Sequence, residues 1–429
     1  MEIRPFRGWR YAGGLDGDIS PYLAPPYDIL SASDKRELLA QSKDNVVAVD
    51  LPHVPPKEVG PDEAYAAAAD LLAKWRTSGV VRQDAEPSIY VYEQTYTWAG
   101  RTYARQAMIC GVRATELGQD VIPHEHVFSG PLADRLKLTQ CTRMQLSPVF
   151  GFYSDPGGQV SRLLAAAAQE RPVARGELRG VVERLWRIHD AETIGAIAST
   201  LRAEPVFIAD GHHRYTTARN YARQLAQAGP LDEGHEANFV MFALVAQDDP
   251  GLLILPTHRL LSHLGPTATM ERLAEALPEF SWRPSGSAEI GVAAIEALLG
   301  CAQPGAMAFV VGESAELWIV ELTRPEAMRE AAPDRSDEWR SLPPAILHEL
   351  ILERALKPWA DGELNVEYAA DVGEVLSACR SGRAQLGVIL QSIGLQSVEA
   401  IALSGASMPH KSTYFYPKIA TGMVFKPLE

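Results

Sequence analysis

Five consecutive residues, Asp210-Gly211-His212-His213-Arg214, put an acid, a glycine, two imidazoles and a guanidinium side by side. "VFIA" before them reads as a short buried strand. "YTTARNYARQLAQA" after them carries apolar or small residues at Tyr215, Ala218, Ala222 and Leu225, which is helical spacing. The motif therefore spans a strand-to-helix junction. Backbone N–H groups at a helix start are unpaired, and the helix dipole favours negative charge there. Gly211 lets the backbone approach a ligand, while His213 and Arg214 add donors, so the expected guest is an anion such as phosphate. Asp210 suits three roles: holding a histidine tautomer, capping the helix, or meeting a metal ion such as Mg²⁺. The plainer alternative makes Asp210 only an N-cap, with the histidines satisfied locally. Neighbouring helical residues point about 100° apart, so His212 and His213 do not readily share one zinc ion.

Three further stretches carry chemistry. In "PHEH", His124 and His126 point one way and Glu125 the other if the backbone is extended. Glu125 is then the candidate general base, with His124 beside it. The alternatives are a zinc site built on His124 and His126, and a solvated loop. Downstream, Arg135 and Arg143 are eight apart, so on one helix they would share a face and could pin phosphate oxygens. The tail "SGASMPHKSTYFYPK" nearly fits a P-loop, but His410 replaces the second glycine and no helical pattern follows. Lys411, Ser412, Thr413 and Lys418 remain donors to an anion, or polar ends of an aromatic closing strand. "LPTHRLL" adds His258 and Arg259 at a strand end.

These residues need a scaffold, and 429 residues supply ample core for two or three domains. The hydrophobic share of 46% and charged share of 22% are those of an ordinary globular chain. A net charge of −14, spread over short clusters, argues against a nucleic-acid partner, which needs a basic face. Cys110, Cys141, Cys301 and Cys379 are far apart and read as buried thiols in a reducing cytoplasm. "MEIRPFRGWRYAGG" lacks the apolar stretch of a secretory signal, and "FVMFALVA" is too short to cross a bilayer. The expectation is a cytoplasmic protein with a small-molecule substrate, no nucleic-acid or membrane partner, and an oligomeric state the residues leave open.

Along the chain, "APPYDIL" reads as an ordered loop presenting Tyr27 and Asp28. "DEAYAAAADLLAKWRTSGV" reads as a helix ending near Gly79, and two β-rich runs flank Ala99-Gly100 as a hairpin. A shift in composition near Leu261 suggests a core domain over 1–262 and an appended α/β region over 263–429, whose tail (405–429) returns to the site. The fold class expected is α+β with a mixed sheet core.

Together "RPFRGWRY", "APPYDIL", "PHEHVFSGPLADRLKLTQCTRMQLSPVFGFYSD", "FIADGHHRYTTA", "DDPGLLILPTHRL" and "MPHKSTYFYPK" resemble the bacterial and archaeal family known as domain of unknown function 1015. The chain departs from that family at His126-Val127, which weakens the zinc reading. "ADGHHRYTTA" is also distantly similar to the phosphate-binding box of the ParB, sulfiredoxin and free serine kinase group. That likeness implies a ParB/sulfiredoxin-like nucleotide-binding element in which Gly211, His212, His213 and Arg214 hold the phosphates of ATP or ADP. It further implies a glutamate that activates the acceptor hydroxyl, a role for Glu125.

The reading that follows is a small-molecule kinase acting on a hydroxyl, free serine being one such acceptor. Mg²⁺ would sit near Asp210, with Arg135 or Arg143 and Lys411 stabilising the transferring group, and Ser412 and Thr413 as further donors to the bound anion. A nucleotide-binding switch without phosphotransfer and a metal-dependent hydrolase are the alternatives.

Overall fold

A computed structural model describes the chain apart from residues 16, 126, 128 and 313. His126, half of the H-x-H pair, thus lies outside the described residues. The chain divides into two compact units, Met1–Leu253 with Pro417–Glu429, and Ile254–Tyr416.

The first unit is built on a nine-stranded sheet among the described residues. From one edge its strands are Val121–Ile122, Val206–Asp210, Val149–Tyr153, Phe239–Ala246, Arg101–Arg113, Ile89–Trp98, Val181–Ile188 and Ala174–Leu178, with Ile3–Arg4 on Arg101–Arg113. Val206–Asp210 runs parallel to Val121–Ile122, and Phe239–Ala246 parallel to Val149–Tyr153; the other pairs are antiparallel. The sheet is mixed, and the fold is α+β. Phe239–Ala246 is apolar on both faces and wholly buried, as a central strand requires. The hairpin turns at Ala99 and Gly100, with φ of 47° and 75°. Two successive positive φ values match the right-handed twist of the flanking strands. Helix Asp62–Ser78 stops where Gly79 turns left-handed, at φ 79°.

In the second unit, the described residues form a six-stranded antiparallel sheet that runs Phe280–Ser287, Glu316–Leu322, Met307–Val311, Leu386–Leu390, His258–Leu264, Ala360–Ala369. Helices Val292–Cys301 and Val372–Arg380 pack on it through Ile295, Leu299, Val375 and Leu376. The expected boundary at 262/263 lies too late. His258–Leu264 pairs on both sides with strands of the second sheet, so the second unit begins before it. The expected tail 405–429 is also divided, with 405–416 in the second unit and Pro417–Glu429 in the first.

Cys110 and Cys379 are buried free thiols, but Cys141 and Cys301 are exposed, against expectation. Cys141 sits in the last turn of helix Ser129–Thr142, and Cys301 ends helix Val292–Cys301, each on a solvent-facing side. No helix among the described residues is long and apolar enough to cross a membrane.

Candidate functional site

The strand Val206–Asp210 gives way at Gly211 to helix His212–Ala228. Gly211 is the N-cap, at φ 96°, and no side chain caps the helix. A Cβ there would lie 2.9 Å from the Arg214 guanidinium carbon, which folds back over the glycine. Both the positive φ and the close approach demand glycine. Gly211→Ala is expected to cost about 1–3 kcal/mol in urea unfolding through backbone strain and displacement of Arg214. A loss under about 0.5 kcal/mol would show that neither constraint operates.

Asp210 does not cap the helix. Its carboxylate accepts from Arg214 Nη2 at 2.7 Å and from Lys418 Nζ at 3.1 Å. Burial alone would raise its pKa, but the Lys418 and Arg214 charges together outweigh that and hold the carboxyl below its ordinary range. Arg214 also donates to the Pro148 carbonyl. With one carboxylate oxygen on each cation, Asp210 offers no donor set suited to Mg²⁺, which would meet two like charges. The expected metal role of Asp210 does not fit these residues. Among the described residues, no group of three or more His, Cys, Asp or Glu side chains is gathered as a metal site.

The two histidines of the motif diverge. His212 is 3% exposed and turned inward. Its Nε2 accepts the His124 backbone N–H at 3.2 Å, and its ring meets the His124 ring edge-on, centroids 4.7 Å apart. Burial, joined by the nearby His124, pushes its pKa down to about 3, so it is neutral near pH 7. Because Nε2 is an acceptor, the proton resides on Nδ1, which faces Glu125 Oε2 at 3.6 Å. That is a polar contact rather than an ion pair, since burial keeps the ring uncharged. His212 was expected to hold a phosphate; its ring instead orients the His124-Glu125 segment. His124, 2% exposed and with its pKa lowered by burial, hydrogen-bonds the Ile208 backbone. Glu125 keeps 34% of its side chain exposed. His213 is half-buried; burial lowers its pKa, and the charges of Asp28, Glu125, Lys57 and Arg214 act on it.

The expected arginine pair separates. Helix Ser129–Thr142 ends before Arg143, which turns left-handed at φ 50° and pairs with Glu429, leaving 61% of its side chain exposed. It shares no helical face with Arg135. Arg135 is 5% exposed, with its guanidinium on Asp134 (2.7 Å) and the Asp50 carbonyl (2.5 Å), stacked 3.9 Å from the Tyr27 ring. Its charge is thus matched within the fold, where it anchors the "APPYDIL" loop.

Lys411, Ser412 and Thr413 lie in the second unit. Lys411 has φ 55°, and Ser412 is buried with its hydroxyl donated to the Pro409 carbonyl at 2.6 Å. Strand Tyr414–Tyr416 follows, not a helix. His258 faces the second core, accepting the Leu390 N–H at 3.1 Å.

Sequence reasoning gave Lys418 no specific partner and missed the side chains that hold it. Glu183, Gln94 and Arg105 stand directly opposite one another on three adjacent strands, all about 1% exposed. Arg105 Nη2 donates to Gln94 Oε1 and to the Pro417 carbonyl at 2.6 Å; Gln94 Nε2 donates to Glu183 at 3.2 Å and to the Lys418 carbonyl at 3.0 Å. Tyr92 donates to Glu183 and accepts the Ala420 N–H at 3.2 Å. Burial pushes the Glu183 carboxyl up to about 7. The row ties 417–420 to the sheet and so presents Lys418 to Asp210. A signal existed: Gln94 falls in phase with Tyr92 and Tyr96, and Glu183 with Val181 and Leu185, all buried.

Fold and site together define an α+β protein centred on a strand–glycine–helix junction, with an acid–cation cluster beside an uncapped helix start. The chain belongs to the family described as protein of unknown function DUF1015, whose model matches residues 3–340. Among curated proteins, none matches it. A free serine kinase solved in complex with AMP is 13% identical, over 74% of this chain and 92% of that chain, at a TM-score of 0.34. SbnI with a C-terminal truncation, from Staphylococcus aureus, is 12% identical over 75% and 87%, at 0.36. A conserved hypothetical protein from Pyrococcus furiosus is 12% identical over 74% and 95%, at 0.33.

Proposed function

We propose that this protein is a small-molecule kinase that transfers a phosphoryl group from a nucleotide to the hydroxyl of a small acceptor, free serine being one candidate. One observation carries the reading. Helix His212–Ala228 starts with no side-chain cap and no acid in its first turn, yet with His213 and Arg214 there. An ordinary helix start is stabilised by an acidic or hydroxyl cap; this one is completed by an external anion. The likeness of "ADGHHRYTTA" to a phosphate-binding box supports the same reading.

In the proposed reaction, the helix-start N–H groups, His213 and Arg214 bind the nucleotide phosphates. Lys418, held on Asp210, lends positive charge to the transferring group. Glu125 takes the proton as the acceptor oxygen forms its new P–O bond. The bridging P–O bond breaks, and the nucleotide leaves with that electron pair. No step is routed through a metal ion.

Phosphorus NMR of the protein with MgATP or MgADP and a pool of hydroxylated metabolites including L-serine tests this. The expected result is a new phosphomonoester peak that is lost in His213→Ala. Broadened nucleotide peaks without product would replace the kinase with a nucleotide-binding switch. Unbroadened peaks would remove the nucleotide reading altogether.

A further inference from the structure

The second unit holds a buried cation that no carboxylate of the described residues pairs with. Arg259, in strand His258–Leu264, is 5% exposed. Its Nη1 donates to the Thr257 carbonyl, and its Nη2 to the carbonyls of His410 (3.3 Å) and Lys411 (3.1 Å). The guanidinium lies 4.6 Å over the Tyr368 ring, itself 40% exposed. No carboxylate of the described residues pairs with it. Burial lowers its pKa to about 10, with only Tyr368 opposing.

Among the other deeply buried arginines of the described residues, Arg135 is paired with Asp134 and Asp50, and Tyr92, Tyr96, Glu183 and Asp249 all act on Arg105, whereas Tyr368 alone acts on Arg259. Acids outnumber bases in this chain, 54 to 40, so a partner for Arg259 was not wanting for lack of residues. A buried charge left unpaired is costly, and neutral carbonyls offset that cost only in part.

A second polar group belongs to the residue whose carbonyl Arg259 holds. Thr257 is 7% exposed, and its Oγ1 has no hydrogen-bond partner among the described residues. Thr257 immediately precedes the strand, and its backbone carbonyl takes Arg259 Nη1, while His258 between them faces the core. Lys411, whose carbonyl Arg259 holds, brings another cation in the same turn.

We propose that Arg259 and Thr257, beside the His410–Lys411 turn, form a binding site for a small oxyanion, the carboxylate or phosphate group of a small molecule. A guanidinium accepts either group through paired N–H donors, and a threonine hydroxyl adds a further donor. The site is built from residues of the second unit alone and does not depend on the kinase reading.

The test is titration of the full chain with inorganic phosphate and, separately, sodium lactate, against sodium chloride at matched ionic strength, read by thermal unfolding. Arg259→Gln, Thr257→Val and Arg214→Gln are compared with the unaltered protein. At least one anion is expected to raise Tm, with half-saturation shifted about tenfold in Arg259→Gln and less in Thr257→Val, while Arg214→Gln removes only the phosphate contact proposed at the Gly211 turn and keeps the response that depends on Arg259. Response to phosphate alone assigns a phosphoryl-bearing ligand; response to lactate alone assigns a carboxylate. If Arg259→Gln does not fold, Thr257→Val decides. An unchanged anion response in either readable variant at residues 257 and 259, or no response in the unaltered protein, overturns the site. Loss of the response in Arg214→Gln alone would move it to the Gly211 turn.

Discussion

Glu125→Gln is expected to lower phosphoryl transfer by about 100- to 10,000-fold while leaving nucleotide affinity within about twofold, the loss typical of removing a general base. The substitution preserves shape and keeps a carbonyl oxygen where Oε2 faces the His212 Nδ1–H at 3.6 Å. The His124-Glu125 segment should therefore stay in place, and only the capacity to take a proton is removed. Single-turnover phosphorus NMR gives the rate, and nucleotide titration gives the affinity. Loss of binding together with turnover would mean that Glu125 acts by packing against His212, and the assigned base would fall.

A second large effect concerns acid. His212 has a folded pKa near 3, against an ordinary 6.5. For a base with a depressed folded value, the unfolded chain binds more protons between the two values. Stability is thus fully present above about pH 6.5 and is lost as pH falls towards 3. The loss expected from this one group is about 3–5 kcal/mol, at about 1.4 kcal/mol per unit. Protonated Nε2 can no longer accept the His124 N–H, so the Glu125 segment should loosen over the same interval. Urea unfolding between pH 7.5 and 4 should show a clearly shallower decline in His212→Asn. Some slope remains there, because His124 is also depressed by burial. Parallel curves would show that His212 is not the group responsible.

Local signals were legible wherever the chain's own chemistry dictated them. Ala99-Gly100 marked the hairpin, Gly79 a helix end, and the apolar-to-polar change at Gly211 the strand–helix junction. Facing directions were not legible. At a helix start nothing local decides which of two adjacent histidines turns inward, and packing against His124 settled it for His212. Arg143 was misplaced because a helix end shifted by one residue changes a side chain's face altogether. Lys418 meets Asp210 across 208 residues of chain, a pairing that only the tertiary fold creates. The second unit's early start was hidden because His258–Leu264 looks like a continuation of the preceding β pattern.

The row of Glu183, Gln94 and Arg105 has a consequence for how the chain finds its structure. Each member faces its neighbour in one alignment of the three strands only. Sliding Val181–Ile188 by one residue past Ile89–Trp98 would turn Glu183 to the opposite face and strand Gln94 and Arg105 among apolar groups. An unmatched buried charge costs several kcal/mol, whereas the aliphatic and aromatic residues of these strands tolerate a shift far better. The row therefore favours the native register of these three strands over a slipped one. The same register sets Gln94 and Arg105 where they hold the Lys418 and Pro417 carbonyls, so strand alignment and the placing of Lys418 are one requirement.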